Sequence, residues 1–407
     1  PAPPGWQATG VQREEVEALG RVGGLLAEEI TGWAEQHHRA VAGRAFRWVG
    51  PAGAPVRVVH DAVADGAYRG VRALGRVVGR GLGGLLAPLA TGVPVSASLV
   101  GGQAVAVLDA VLGDRLDDEG SALSLPMVLR VGRTDVGTDR AALAAAYPGA
   151  TARVVVFVHG LGHTDLSWLE RDIVGEPWSY AHALQPAGWT GALVRYNSGR
   201  RIDANGASLA SLLEAMTTAW PRPVADLALV GHSMGGLVIR SACAQGTDAG
   251  HAWPALVRSC VYLGSPHHGA PLEQGADMVA GLLGRLPETG AIATALRLRS
   301  AGIKNLRHGI LAGDRGGDAA VDDLLDGPAL LATARHHLVA GHLGLTGRHP
   351  AAVMLGDLVV REASALGLGH RRAAALGPCE RATFPATSHH ALLHDRRVGN
   401  ALAGWLG

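Results

Sequence analysis

Lysine is almost absent from this sequence: Lys304 is the only one, and every other basic side chain besides histidine is an arginine. Lys304 follows Ile303, which excludes a phosphate-binding P-loop, whose lysine comes directly after a glycine. A Schiff-base lysine is left without support. Cysteine is scarce too. Cys243, Cys260 and Cys379 are too few and too scattered for a disulfide framework or a zinc ligand set. No excess of one charge exists, with Lys+Arg 36 against Asp+Glu 35. Nucleic-acid binders neutralise phosphates with surplus basic charge, so no nucleic-acid partner is expected. No positively charged stretch leads from Pro1 into an apolar segment. The expectation is a cytoplasmic protein, with a leader already removed as the alternative.

What is present is a long, apolar, glycine-rich chain of 407 residues, 48% hydrophobic and 17% charged, with 58 glycines. That composition excludes a disordered chain and suffices for a large core. Apolar residues recur every three or four positions at Val16, Leu19, Val22, Leu26, Ile30, Trp33 and Val41, a helical period interrupted at Gly23-Gly24. A second helical stretch runs from Val58 to Leu89 and a third from Leu99 to Leu116. Residues 1–118 are therefore read as a helical N-terminal region. Arg69, Arg72, Arg76 and Arg80 forbid a membrane-spanning helix in the second stretch. A helix packed on its own catalytic domain is the plainer expectation, and peripheral membrane contact is the sharper one. Gly79, Gly81 and Gly84 spell GxGxxG, but they follow a helical pattern, not the strand that a dinucleotide site needs.

The character changes near residue 119. Short apolar runs at 125–131, 153–158, 192–196, 226–230, 256–263 and 336–343 read as strands, and helical patterns lie at 204–220 and 234–244. Strands this apolar, alternating with helices, predict an α/β domain over 119–407 with a mostly parallel sheet covered on both faces. Between about 271 and 331 the alternation gives way to Gly/Leu-rich helical material, read as a cap insertion.

The most specific feature is Gly231-His232-Ser233-Met234-Gly235, a GxSxG between the strand DLALV and a helical pattern. A serine on such a sharp turn projects its hydroxyl, and glycine-sized neighbours permit the close backbone approach. The helix that follows offers amides to a developing oxyanion.

From about Arg153 onward the chain resembles the α/β-hydrolase superfamily and its bacterial lipase and esterase branch. VVFVHGLG (155–162) is similar to the lipase oxyanion loop, GHSMGG (231–236) to the nucleophile elbow and LGSPHHGAP (263–271) to a further pocket loop. The resemblance implies an α/β-hydrolase fold and a serine carboxylic ester hydrolase with no metal or organic cofactor. It implies the triad order Ser, Asp, His, with Ser233 as nucleophile. Asp357, in MLGDLVVREASAL, matches the acidic loop, with Asp314, Asp318, Asp322, Asp323 and Asp326 as rivals. His389, shortly before the Leu392-Leu393 pair and separated from it by His390 and Ala391, matches the base, and His390 is the alternative. The amides of Leu161 and Met234 would form the oxyanion hole. His159, Trp168, His232, His267 and Met278 are candidate substrate contacts; Trp168 and Met278 are equally readable as plain core, and the loop of His267 is read first as shaping the pocket floor. A small-molecule ester or lipid is the expected substrate. An acyltransferase, thioesterase or amidase would use the same triad, and a partner-binding role for the N-terminal helices is a third reading. Oligomeric state is left open.

Overall fold

The computed structural model describes residues 54–86, 99–169, 178–267, 329–342, 362–368 and 378–407, together with Asp357, Val360, Leu376 and helical positions between residues 14 and 46. The proposed cap, 271–331, falls outside the described residues except at its end. By contacts the chain divides into two compact units. Pro1–Gly101, Glu119–Leu123 and Leu286–Leu298 form one; Gly102–Asp118, Ser124–Arg285 and Arg299–Gly407 form the other.

The first unit holds helix α1 (Ala54–Leu86). Its polar side is tied down by Arg39 with Asp65 (2.6 Å) and by Arg72 with Glu35. Its valines point to solvent, as Val56, Val63 and Val77 show by exposures of 64%, 67% and 66%. Among the described residues no helix is long and apolar enough to cross a membrane.

In the second unit, most of helix α2 (Leu99–Asp118) packs with the sheet domain. The boundary expected at residue 118 thus falls earlier, at Gly101–Gly102, for this helix. The reason is a buried apolar face, Val105, Ala106, Val111, Leu112 and Leu116, together with Asp109, whose carboxylate accepts the Leu125 amide. A hairpin follows, β1 (Val128–Val131) and β2 (Thr134–Val136), then helix α3 (Arg140–Ala146) capped by Asp139. The alternation then runs β3 (Arg153–Val158), α4 (Tyr180–Leu184), β4 (Trp189–Arg195), α5 (Ile202–Ala219), β5 (Asp226–His232), α6 (Met234–Asp248) and β6 (Val257–Leu263). It closes with β7 (Arg335–His342), the short α7 (Glu362–Ala365), β8 (Glu380–Pro385) and α8 (Arg396–Leu406).

The eight strands form one sheet in the order β2-β1-β4-β3-β5-β6-β7-β8. β4 to β8 run parallel along with β3, and β1 alone is antiparallel to both neighbours. β3 and β5 lie at the centre, and every side chain of β3 after Arg153 is buried. Such strands are apolar on both faces because helices cover both. One core joins Phe157, Val230 and Leu263 of the sheet to Tyr180 of α4 and to Val398 and Leu402 of α8. Fully burying each such side chain stabilises by about 1.5–3 kcal/mol. The central strands thus fix the rigid C-terminal edge from which the site loops spring.

Candidate active site

Ser233 sits between the end of β5 and the first residue of α6, with φ 54° and ψ −124°. Positive φ is strained for a residue with a Cβ, and such strain persists only where the surroundings over-determine it. Here they do. The Ser233 amide donates to Leu263 O at 2.8 Å, and the Gly236 amide donates to Ser233 O at 3.1 Å. A Cβ at Gly235 would collide with the carbonyl of Val158 and come within 2.5 Å of that of His159. One at Gly231 would stand 2.6 Å from the Gly236 Cα. Elbow and β3 therefore approach each other only through glycine. Met234 opens α6, so its amide has no partner within the helix and lies at the positive end of the helix dipole.

Three bonds and packing hold His389. Its Nδ1–H donates to Asp357 Oδ2 at 2.6 Å, and its main-chain amide donates to Asp357 O at 3.1 Å. Its carbonyl accepts from His232 Nε2–H at 2.9 Å. The ring lies against Gly264, where a Cβ would be 3.1 Å from the imidazole. The other oxygen of Asp357, Oδ1, accepts the Val360 amide at 2.7 Å. Asp357 is 1% exposed. Both oxygens of this buried carboxyl group are therefore bonded. The Nε2 of His389 is buried and has no hydrogen-bond partner among the described residues. His390, the alternative base, turns its ring edge-on to His163 at 5.6 Å and lies near His394. The rival acids between 314 and 326 lie outside the described residues.

The turn after β3 carries the other expected donor. Leu161 is buried, next to Gly162 at φ 68°. Gly162 is clamped on both sides: its amide donates to Ser198 Oγ at 2.9 Å, and its carbonyl accepts from Gln103 Nε2 of α2 at 2.7 Å. Downstream, the buried Arg130 pairs with Asp165 at 3.5 Å and so ties this turn to β1. Burial raises the Asp165 pKa, partly offset by Arg130.

The candidate substrate contacts separate by geometry. His159 is fully buried, with Nδ1–H donating to Gly160 O at 2.9 Å and Nε2 accepting the Tyr196 amide at 3.3 Å. Its ring stacks on Tyr196 at 4.3 Å. No ring nitrogen remains for a substrate, and burial pushes its pKa down to about 4. Trp168 belongs to the core and packs on Phe157 at 5.2 Å. His267 is buried, with Nδ1 3.3 Å from Arg240 and its ring edge-on to Tyr262 at 5.0 Å. His232 is buried beneath His389 at 4.7 Å, and Met278 lies outside the described residues.

Two residues that the sequence reading did not single out join the site. His163 stacks nearly parallel on His232, 5.6 Å away at 11°, and Gln103 holds the loop from the far side. The second histidine of HGLGH was the available signal for the first. Nothing in sequence spacing marks Gln103. Burial drives the pKa of both His163 and His232 well down, and their histidine neighbours add in the same direction. Among the described residues no group of three or more His, Cys, Asp or Glu side chains could hold a metal ion.

A central parallel sheet flanked by helices, an antiparallel β1 near its edge and a strained serine at a strand-to-helix turn define the α/β-hydrolase fold, and this chain has it. The family described as the PGAP1-like alpha/beta domain matches residues 207–285, the segment that contains the elbow. Among solved structures, the chain is similar to the mature form of the Bacillus licheniformis lipase BlEst2, with 22% identity and a TM-score of 0.40 over 63% of this chain and 93% of that one. It is similar to the Pyrococcus furiosus esterase PF2001, with 14% identity and a TM-score of 0.40 over 63% and 84%. For the naproxen esterase (carboxylesterase NP) of Bacillus subtilis the figures are 14% and 0.36, over 63% and 84%. No curated protein matches the chain.

Proposed function

We propose that the protein is a serine carboxylic ester hydrolase acting on apolar acyl esters. A serine hydroxyl is a weak nucleophile at neutral pH and needs an oriented base. In this reading His389 Nε2 takes the Ser233 proton as Oγ attacks the ester carbonyl. Asp357 holds the imidazole in the tautomer with the proton on Nδ1 and stabilises the imidazolium. The amides of Met234 and Leu161 bind the oxyanion of the tetrahedral intermediate. His389 then returns the proton to the departing alcohol, and water, activated by the same base, releases the acid from Ser233. One oxyanion donor is worth about 3 kcal/mol.

The observation that carries this reading is the 2.6 Å bond from His389 Nδ1 to a buried Asp357, with Nε2 unpartnered among the described residues. A triad needs its base held by the acid on one nitrogen, with the other nitrogen available to the serine hydroxyl. The test is initial rates on p-nitrophenyl esters from acetate to palmitate. Hydrolysis rising with chain length and lost in Ser233→Ala supports an apolar acyl substrate. Undiminished hydrolysis in Ser233→Ala overturns it.

A second, accessory reading concerns α1. Its exposed valines and Arg57, Arg69, Arg72, Arg76 and Arg80 give the composition of a helix that lies on an anionic lipid surface. Co-sedimentation of the full chain with phosphatidylglycerol vesicles tests it. Binding that is lost in Val63→Asp/Val77→Asp supports it, and no binding at low salt removes it.

A further inference from the structure

We infer that His232 is a positioning residue: its imidazole ties the loop of the base to the strand of the nucleophile and thereby sets the Ser233–His389 spacing. This rests on the proposed roles of Ser233 and His389. His232 is the last residue of β5 and the immediate chain neighbour of Ser233. Its Nε2–H donates to the main-chain carbonyl of His389 at 2.9 Å. The path from nucleophile to base is therefore one peptide unit, one side chain and one hydrogen bond. On the other side of the base, the His389 amide and Nδ1 are both held by Asp357. His389 is thus fixed from the acid side and from the nucleophile side, and its remaining nitrogen is left to the serine.

The ring of His232 is itself held in place. His163 stacks on it at 11°, the edge of Trp168 meets it at 87° with centroids 6.4 Å apart, and His389 covers it at 4.7 Å. Its Nδ1 stands where a Cβ on Gly160 would be 3.2 Å away, so a side chain there would press on this ring. The same ring consequently spaces three parts of the site: elbow, base loop and oxyanion turn. His232 Nδ1 has no partner among the described residues, and a proton there would be a buried donor without an acceptor. The groups facing the ring, His163, His389 and His390, are histidines and offer no anion. His232 therefore stays neutral with its proton on Nε2, the tautomer that the bond to His389 O requires.

The experiment compares His232→Gln, whose amide nitrogen can reach the place of Nε2, with His232→Phe, which keeps the ring and removes the donor. Rates are measured per active site titrated with a fluorophosphonate, alongside the NMR signal of the His389 Nδ1–H proton. Displacing a catalytic group by about 1 Å costs roughly 100-fold. The expectation is a kcat lower by about 10- to 100-fold in the Phe variant, with KM within about threefold, and a smaller loss in the Gln variant. The Nδ1–H signal broadens in the Phe variant and stays sharp in the Gln variant. A merely structural role would lower the titrated fraction and leave kcat per site unchanged, and that result overturns the inference. So does an equal loss in both variants. If the wild type takes up no fluorophosphonate, the reading of Ser233 falls by itself. The NMR comparison then decides separately whether His232 orders the His389 loop.

Discussion

His389 Nδ1 and Asp357 Oδ2 are 2.6 Å apart in a place where Asp357 is 1% exposed, although 32 residues separate them in the chain. A charge-assisted bond this short, with the second carboxylate oxygen on the Val360 amide, fixes the tautomer and the plane of the imidazole together. Asp357→Asn would present a donor to Nδ1 and turn the proton toward Nε2, where the base must be bare. The expected loss in kcat is roughly 10⁴-fold with the fold intact. Steady-state kinetics with a circular dichroism spectrum check it, and a loss under tenfold contradicts the role given to Asp357.

Gln103 reaches from α2 to the Gly162 carbonyl at 2.7 Å, opposite the Ser198 bond to the Gly162 amide. Gln103→Ala leaves that carbonyl without its donor and loosens the turn that presents the Leu161 amide. The expected cost is about 1 kcal/mol in stability and about tenfold in kcat. Urea unfolding and initial rates measured side by side check both. An unchanged kcat would show that the turn keeps its place without α2.

Gly235 has no space for a side chain, because the carbonyls of Val158 and His159 stand where its Cβ would be. Both obstacles are backbone of the central strand and its loop, and neither swings away as a side chain would. Gly235→Ala is expected to destabilise by about 3 kcal/mol and to abolish activity. A melting temperature equal to that of the wild type would contradict the close approach.

The buried histidines give a pH dependence with a definite sign. His159 has its pKa lowered from 6.5 to about 4 by burial, and His163 and His232 are shifted in the same direction. Each takes up a proton more readily in the unfolded chain. Their contribution to stability is thus fully present above the unfolded pKa near 6.5 and is lost as the pH falls through that value. For His159 the loss levels off near pH 4 and amounts to on the order of 3 kcal/mol. Urea midpoints between pH 7.5 and 4.5 check this, and a midpoint that holds steady or rises on acidification contradicts it.

The central sheet was legible because its strands are buried on both faces. After their first residues, RVVVFV and DLALV carry no polar side chain, and β3 was expected over the same residues that form it. The edges were not. β2 is three residues long, and β8, ERATFP, mixes exposed polar side chains with half-buried apolar ones and has no continuous apolar run. An edge strand owes its pairing to its neighbour, so its own composition says little. The start of β4 was placed three residues late, because Trp189, Thr190 and Gly191 do not form a β-branched run. At the site, GHSMG spelled out its own turn, since only glycine fits at Gly231 and Gly235. Asp357 and His389 came from resemblance to lipase loops. Their pairing needed the two segments to meet at the ends of β7 and β8, which no local pattern encodes. His163 and Gln103 were missed for the same reason: each contributes through a tertiary contact with main chain or ring.

The central claim is that Ser233 is the nucleophile, and intact-mass analysis after exposure to a fluorophosphonate tests it most directly. The account predicts a single adduct mapped to Ser233 in the wild type, slowed in Asp357→Asn and in a His389→Ala variant, and absent in Ser233→Ala. An adduct on another residue, or equal labelling of the wild type and Ser233→Ala, would contradict it.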